Sequence, residues 1–138
     1  MQFSKDVALI SKYFRQHRNR YVEPLGLKGI QARMLIDVCE RPGISQDRLA
    51  QLMSVDKCNV ARQVAAVEEL GFLLRKPSGE DKRVLCLYPT PKTLELLPGL
   101  QAQTQSWEDA LLGELTAEEQ KQLLDLLRRV RTRIEREE

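Results

Sequence analysis

The chain has 138 residues, 42% of them apolar and 30% charged, enough for one domain with a buried core, or one domain plus a dimerisation appendage. Its 22 Lys and Arg against 20 Asp and Glu leave a net charge of +2, so a nucleic-acid role must rest on local clustering rather than on an overall field. A single histidine and three scattered cysteines (Cys39, Cys58, Cys86) exclude a multi-histidine metal site, a disulfide framework and a CxxC pattern, and predict a protein with no metal and no cofactor.

The opening residues, MQFSKDVALISKYF, hold no apolar run suited to a signal peptide or a membrane span, which predicts a cytoplasmic protein without a membrane partner. Ser4 is a suitable cap for a first helix reaching about Tyr21. Its stripe of Val7, Ile10, Tyr13, Phe14, His17 and Tyr21 is flanked by Lys5, Lys12, Arg15, Arg18 and Arg20. Pro24, Gly26 and Gly29 then break the chain. A second helix is expected over residues 30–40, stopped by Arg41-Pro42-Gly43. Ser45 caps a short third helix with Leu49 and Leu52 inward, and Asp56 caps a fourth that ends at Gly71.

Residues 72–77 and 83–89 form two extended segments around Ser78-Gly79, a predicted β-hairpin. Thr90 as cap and Pro91 at the first helical position open a long fifth helix, with Pro98-Gly99 bending it without ending it, and the capping box Thr116-Ala-Glu-Glu119 opens a sixth. Leu123, Leu124, Leu126, Leu127, Val130 and Ile134 form a wide apolar stripe on that last helix. A short helix, tight turn, second helix and hairpin make a winged helix-turn-helix, in a fold that is otherwise mostly α. The expected division is 1–22 for an N-terminal dimerisation helix, 23–90 for the winged lobe and 91–138 for C-terminal dimerisation helices. Amphipathic terminal helices need a partner, most simply a second copy of the chain.

The fourth helix carries the functional signal. At about 100° per residue, Val60, Val64 and Val67 fall on one line, while Cys58, Arg62 and Glu69 lie opposite with Asn59, Ala61, Ala65 and Ala66 on the flanks. Small residues around an arginine allow close approach to a second surface, and Arg donating two hydrogen bonds to guanine is the commonest specific major-groove contact. Lys57, near the helix start, is placed for a phosphate. Ser45 and Gln46 open the preceding helix beside it. At the hairpin, Lys82 and Arg83 follow Asp81, with Arg75 and Lys76 on the incoming strand. An arginine at such a tip suits a narrow minor groove, and Asp81 can steer it by pairing with Arg83 or Arg75. The DNA-contact set is therefore Ser45, Gln46, Lys57, Cys58, Asn59, Ala61, Arg62, Arg75, Lys82 and Arg83.

The run LGLKGIQARMLIDVCERPGISQDRLAQLMSVDKCNVARQVAAVEELGFLLRKPSGEDKRVLCLYPT, followed by LLP and LTAEEQKQLLDLL, resembles the MarR family of transcriptional regulators over about residues 25–130. The family's aspartate-x-arginine wing motif falls on Asp81 and Arg83. The resemblance implies a homodimer with interlocked terminal helices on a pseudo-palindromic double-stranded operator, acting as a repressor. Arg62 would then lie near base edges and Arg83 in the minor groove. It also implies release by a small, commonly phenolic, effector bound between the dimerisation helices and the DNA-binding lobe. Lys28 stands where relatives often have a capping threonine, and Cys58 and Asn59 where serine or threonine is frequent, so no operator sequence carries over.

For control of binding, Tyr13, His17 and Tyr21 are the candidate lining of an effector pocket. Cys58, in the first turn of its helix and next to Lys57, is the candidate redox residue, since thiolates are favoured at such positions. No nucleophile–base pair, phosphate-cradling loop or metal constellation supports an enzyme. The rival reading is a winged helix used for protein interaction without specific DNA binding, which calls for acidic or bulky apolar residues where this chain has Lys57, Ala61 and Arg62.

Overall fold

A computed structural model of the chain describes residues 1–136. In chain order it contains α1 (Gln2–Val22), a 3-10 turn (Glu23–Leu25), α2 (Gly29–Glu40), α3 (Gln46–Met53), α4 (Lys57–Glu69), β1 (Leu73–Pro77), β2 (Leu85–Pro89), α5 (Pro91–Leu112) and α6 (Ala117–Glu135). The strands pair antiparallel with Leu73 opposite Pro89 and Pro77 opposite Leu85. Helices α1 and α2 lead into the helix-turn-helix of α3 and α4 and a hairpin wing, the fold expected from the sequence.

The expected caps hold in α3, α4 and α6. Ser45 Oγ accepts from Arg48 N at 3.0 Å, Asp56 Oδ2 accepts from Cys58 N and Asn59 N, and Thr116 and Glu119 close their capping box reciprocally. Each satisfies backbone donors that a helix start leaves without partners. Two expectations need correction. Helix α1 starts at Gln2, so Ser4 lies inside its first turn, where Gln2 Nε2 donates to Asp6 across one turn at 2.8 Å. The Thr90 hydroxyl turns back to the end of α4 and donates to the Gly71 carbonyl at 2.6 Å. There it joins Lys92 Nζ, which donates to Leu70 O, in occupying carbonyls that α4 leaves exposed.

The chain divides into two compact units, Met1–Thr104 and Gln105–Glu138. The first holds the core. Met34, Leu35 and Val38 of α2, Leu49 of α3, Val60, Val64 and Val67 of α4, and Leu73 and Leu87 of the wing are all fully buried. The valine row is the apolar line read from the sequence, facing inward. One tie was not legible in it. The segment before α3 lies along β2, with Gly43 N donating to Leu87 O at 2.8 Å and Leu87 N to Ile44 O at 2.9 Å. This third partial strand locks the wing to the helix-turn-helix, and Gly43, at φ +89°, makes the left-handed bend that allows it. In α1 the apolar Val7, Ile10 and Tyr13 are exposed. In the second unit, Leu124, Leu127, Val130 and Ile134 of α6 are exposed as well.

Candidate nucleic-acid interface

Burying the valine row of α4 obliges the opposite side of the helix to face outward. Lys57, Cys58, Arg62 and Ala65 are exposed, while Asn59, Ala61 and Ala66 are half-buried at its margins. Between Lys57 at its start and Glu69 at its end, the outer surface thus carries Arg62 among small residues. At the start of α4, Lys57 Nζ lies 3.6 Å from Asp47 Oδ2 of α3, and both side chains are well exposed. Water screens such a pair strongly, so it leaves the lysine available for a phosphate. Ser45 is engaged as the α3 cap, and Gln46 beside it is half-buried with its Oε1 enclosed.

The wing tip is organised by Asp81. Its carboxylate accepts from Arg83 N at 3.0 Å, from Arg83 Nε at 3.2 Å and from Nη2 at 3.3 Å. The Arg83 hydrogen bonds hold the Asp81 carboxyl below the usual carboxylate range. The Arg83 side chain nevertheless stands 91% exposed, so Asp81 aims the guanidinium without enclosing it. Lys82 next to it is exposed. Asp81 therefore pairs with Arg83, one of the two partners expected.

Arg75 goes elsewhere. Its Nε and Nη2 both reach Glu68 Oε1, at 3.2 and 2.9 Å, and its backbone N donates to Glu68 Oε2 at 3.1 Å. These bonds lower the Glu68 pKa from its ordinary value of 4.5. Arg75 is half-buried and joins the first strand of the wing to α4 through a fork of charge-assisted bonds. The sequence contains this partner, but a separation of seven residues across a helix end gives no local rule that would pick Glu68.

A second feature unseen in the sequence is a row of amides. Gln31 of α2, 5% exposed, accepts from Lys28 N at 2.9 Å and donates to Gln63 Oε1 at 2.9 Å. Gln63 in turn donates to Asn59 Oδ1 at 3.3 Å, and Arg62 Nη2 stands 3.5 Å from that oxygen. The Asn59–Gln63 spacing of four residues is a recognisable helical neighbour pair, but the link to Gln31 depends on how α2 crosses α4. With Lys28 at the cap position of α2, Gln31 and Asn19 satisfy the free amides there instead, the latter accepting from Gly29 N at 2.9 Å.

An open cavity of about 850 Å³ lies between α1 and α2. Phe14, Ile30, Ile36 and Val55 supply apolar wall, and Arg15, Arg18 and Arg33 supply charge. None of Tyr13, His17 and Tyr21 lines it. They lie on the neighbouring stripe of α1, one residue or about 100° away from the 11, 14, 15 and 18 positions that do. Tyr21 instead covers Gly99 of α5, where an added Cβ would sit 2.6 Å from its hydroxyl. Within the cavity Arg18 stacks on Phe14, 4.3 Å from the ring centre. Asp37 Oδ2 is buried without a hydrogen bond, 3.9 Å from Arg33 Nε. Burial raises the Asp37 pKa and lowers that of Arg18.

No group of three or more His, Cys, Asp and Glu among the described residues could hold a metal ion. Of the cysteines, Cys58 is exposed on the outer side of α4, and Cys39 and Cys86 are half-buried.

A helix-turn-helix whose second helix presents small residues around Arg62 with Lys57 at its start, beside a hairpin tipped by an aimed arginine, defines a winged-helix transcriptional regulator. The MarR family model matches residues 30–85. Over 133 residues the chain is 30% identical to YybA, an uncharacterised HTH-type transcriptional regulator of Bacillus subtilis (strain 168), covering 96% of this chain and 89% of that protein. The structure superposes on a crystal structure of MarR with a TM-score of 0.89 at 30% identity, over 96% of this chain and 90% of that one. A MarR family regulator from Listeria monocytogenes, solved in complex with a 26mer DNA, matches with a TM-score of 0.89 at 25% identity, over 94% and 87%. The chain belongs to the MarR family of transcriptional regulators.

Proposed function

We propose that two copies of this chain bind a pseudo-palindromic operator in double-stranded DNA and act as a repressor. Helix α4 enters the major groove and the wing tip lies along the adjacent minor groove. The observation that carries this reading is the outer surface of α4, where Arg62 rises from small residues while the opposite valine row is buried. Arg62 contacts a base edge. Lys57, Ser45, Gln46, Cys58, Asn59 and Ala61 form the surrounding contact surface, Lys82 meets phosphate and Arg83 the minor groove. Arg75, tied to Glu68, sets the wing at the right height beside α4. The likeness to the Listeria regulator held with DNA supports this assignment.

Residues 1–22 and 91–138 serve dimerisation and residues 23–90 form the DNA-binding lobe. The exposed apolar faces of α1 and α6 are what a second copy would cover. The regulator works in the cytoplasm; among the described residues no helix is long and apolar enough to cross a membrane. Release is by a small phenolic effector in the cavity between α1 and α2, or by modification of the exposed Cys58 thiol, which would place bulk or charge against DNA. No catalytic step is assigned to the chain.

Selection of bound duplexes from a random pool tests the reading directly. An enriched inverted repeat is expected, and an unenriched pool would favour a protein-interaction module. Peroxide or diamide treatment that leaves affinity for the selected repeat unchanged removes the cysteine route. A thermal-shift screen with phenols tests the cavity, and no change in the unfolding midpoint with any of them counts against it.

A further inference from the structure

We propose that Gln31 and Gln63 are positioning residues that fix which end of the Asn59 amide faces the groove, making Asn59 a donor-only reader of base edges. This rests on the DNA-reading role of α4 proposed above. A backbone N–H can only donate, so the Lys28 N–H, 2.9 Å away, obliges Gln31 to present its oxygen. The remaining Nε2 of Gln31 then donates to Gln63 Oε1 at 2.9 Å. That leaves Gln63 its own Nε2, which reaches Asn59 Oδ1 at 3.3 Å. A guanidinium is equally donor-only, and Arg62 Nη2 approaches the same oxygen at 3.5 Å.

The buried end of the row therefore imposes one polarity; exposed Arg62, 3.5 Å away, is compatible with it but too distant to enforce it alone. The carbonyl oxygen of Asn59 has two lone pairs, one facing Gln63 and one facing Arg62, and its NH2 is the end left over. Gln31 is 5% exposed, so turning it over would set its NH2 against the Lys28 N–H in a place poorly reached by water, and turning Gln63 over would set two NH2 groups face to face beside it. An asparagine free to use both ends reads adenine, donating to N7 and accepting from N6. Asn59, with its oxygen engaged, donates only. That favours guanine O6 or N7 and thymine O4 over adenine, whose N6 amino group is left without an acceptor beside N7, and disfavours cytosine, whose N4 amino group needs an acceptor.

The test is selection from a random duplex pool with the full chain and four variants. The base column that flattens in Asn59→Ala is the one Asn59 reads, and the unsubstituted protein should enrich G or T there. In Gln63→Glu the introduced carboxylate can only accept, so it takes Gln31 Nε2 with one oxygen and Asn59 Nδ2 with the other. The asparagine amide then turns over, and the column should move to C or A by about fivefold or more. Asn59→Asp, acceptor-only at the residue itself, should give the same shift. Gln63→Met, with no polar end and no added charge, should flatten the column.

A column that moves in Asn59→Asp but stays in Gln63→Glu overturns the proposal. If Gln63→Glu loses its thermal unfolding transition, Gln63→Met decides, and a retained G or T column in it overturns the proposal equally. If Asn59→Ala flattens no column, Asn59 is not a reader and the proposal falls while DNA reading by α4 stands. A pool with no enriched repeat for the unsubstituted protein overturns both.

Discussion

In the proposed complex Arg62 and Lys82 divide the work of binding into two measurable kinds. A guanidinium on a base edge discriminates among sequences, whereas an ammonium on a phosphate does not. Arg62→Ala should cost about 1–3 kcal/mol against the selected repeat and relax base preference at one symmetric position, read by competition with single-base variants. Lys82→Ala should weaken every duplex to a similar degree and reduce the slope of log affinity against log salt by about one unit. Equal loss of specificity in both variants would contradict this division. Arg62, Lys82 and Arg83 could be picked out in the sequence because each follows a local rule of helix face or turn position. Gln31 and Glu68 could not, and Gln63 only as a neighbour of Asn59, because the remaining partners come together only when α2, α4 and the wing pack.

The wing and α4 behave as one element through Glu68 and Arg75. The glutamate is more acidic in the folded chain than in the unfolded one, because Arg75 hydrogen-bonds its ionised form. The pair's contribution to stability is therefore fully present above the ordinary value of 4.5 and is lost as pH falls through the lower folded value. Arg75→Ala should return Glu68 toward that ordinary value and make the acid side of the stability curve less steep, a difference visible in unfolding midpoints measured from pH 7 down to about 3. Parallel acid limbs for the two proteins would show the fork to be energetically silent. The same substitution frees the first strand of the wing from α4, so it should also weaken DNA binding without touching base preference. The helices, caps and hairpin were legible because each is set by short-range chemistry: Ser45, Asp56 and Thr116 as caps, Gly71 in the left-handed conformation, Pro91 at a first helical position. The partial strand at Gly43–Ile44 was not, since its hydrogen-bond partner Leu87 is remote in sequence.

At the scale of the whole molecule, the proposed dimer makes the amphipathic ends decide whether the DNA-facing surface can work. Leu124, Leu127, Val130 and Ile134 on α6, and Val7, Ile10 and Tyr13 on α1, present apolar stripes to solvent, the kind of surface a partner covers. A homodimer covering them would set two copies of α4 about 34 Å apart, one turn of duplex. Truncation after Gly113 removes α6 and should yield a monomeric or aggregating chain with no affinity for the repeat, read by light scattering after size exclusion. A stable dimer without α6 would shift the interface to α1.

The sequence by itself determined the order of elements, the inward valine row and outward arginine of α4, and the basic wing tip, because periodicity, capping and turn chemistry act over a few residues. The tertiary structure decided the rest: Arg75 belongs to Glu68, the cavity is walled by the Phe14–Arg18 stripe of α1 rather than by Tyr13, His17 and Tyr21, and a buried glutamine ties α2 to Asn59. Those outcomes depend on the rotation of one helix against another, which a sequence period constrains only to a face about 100° wide.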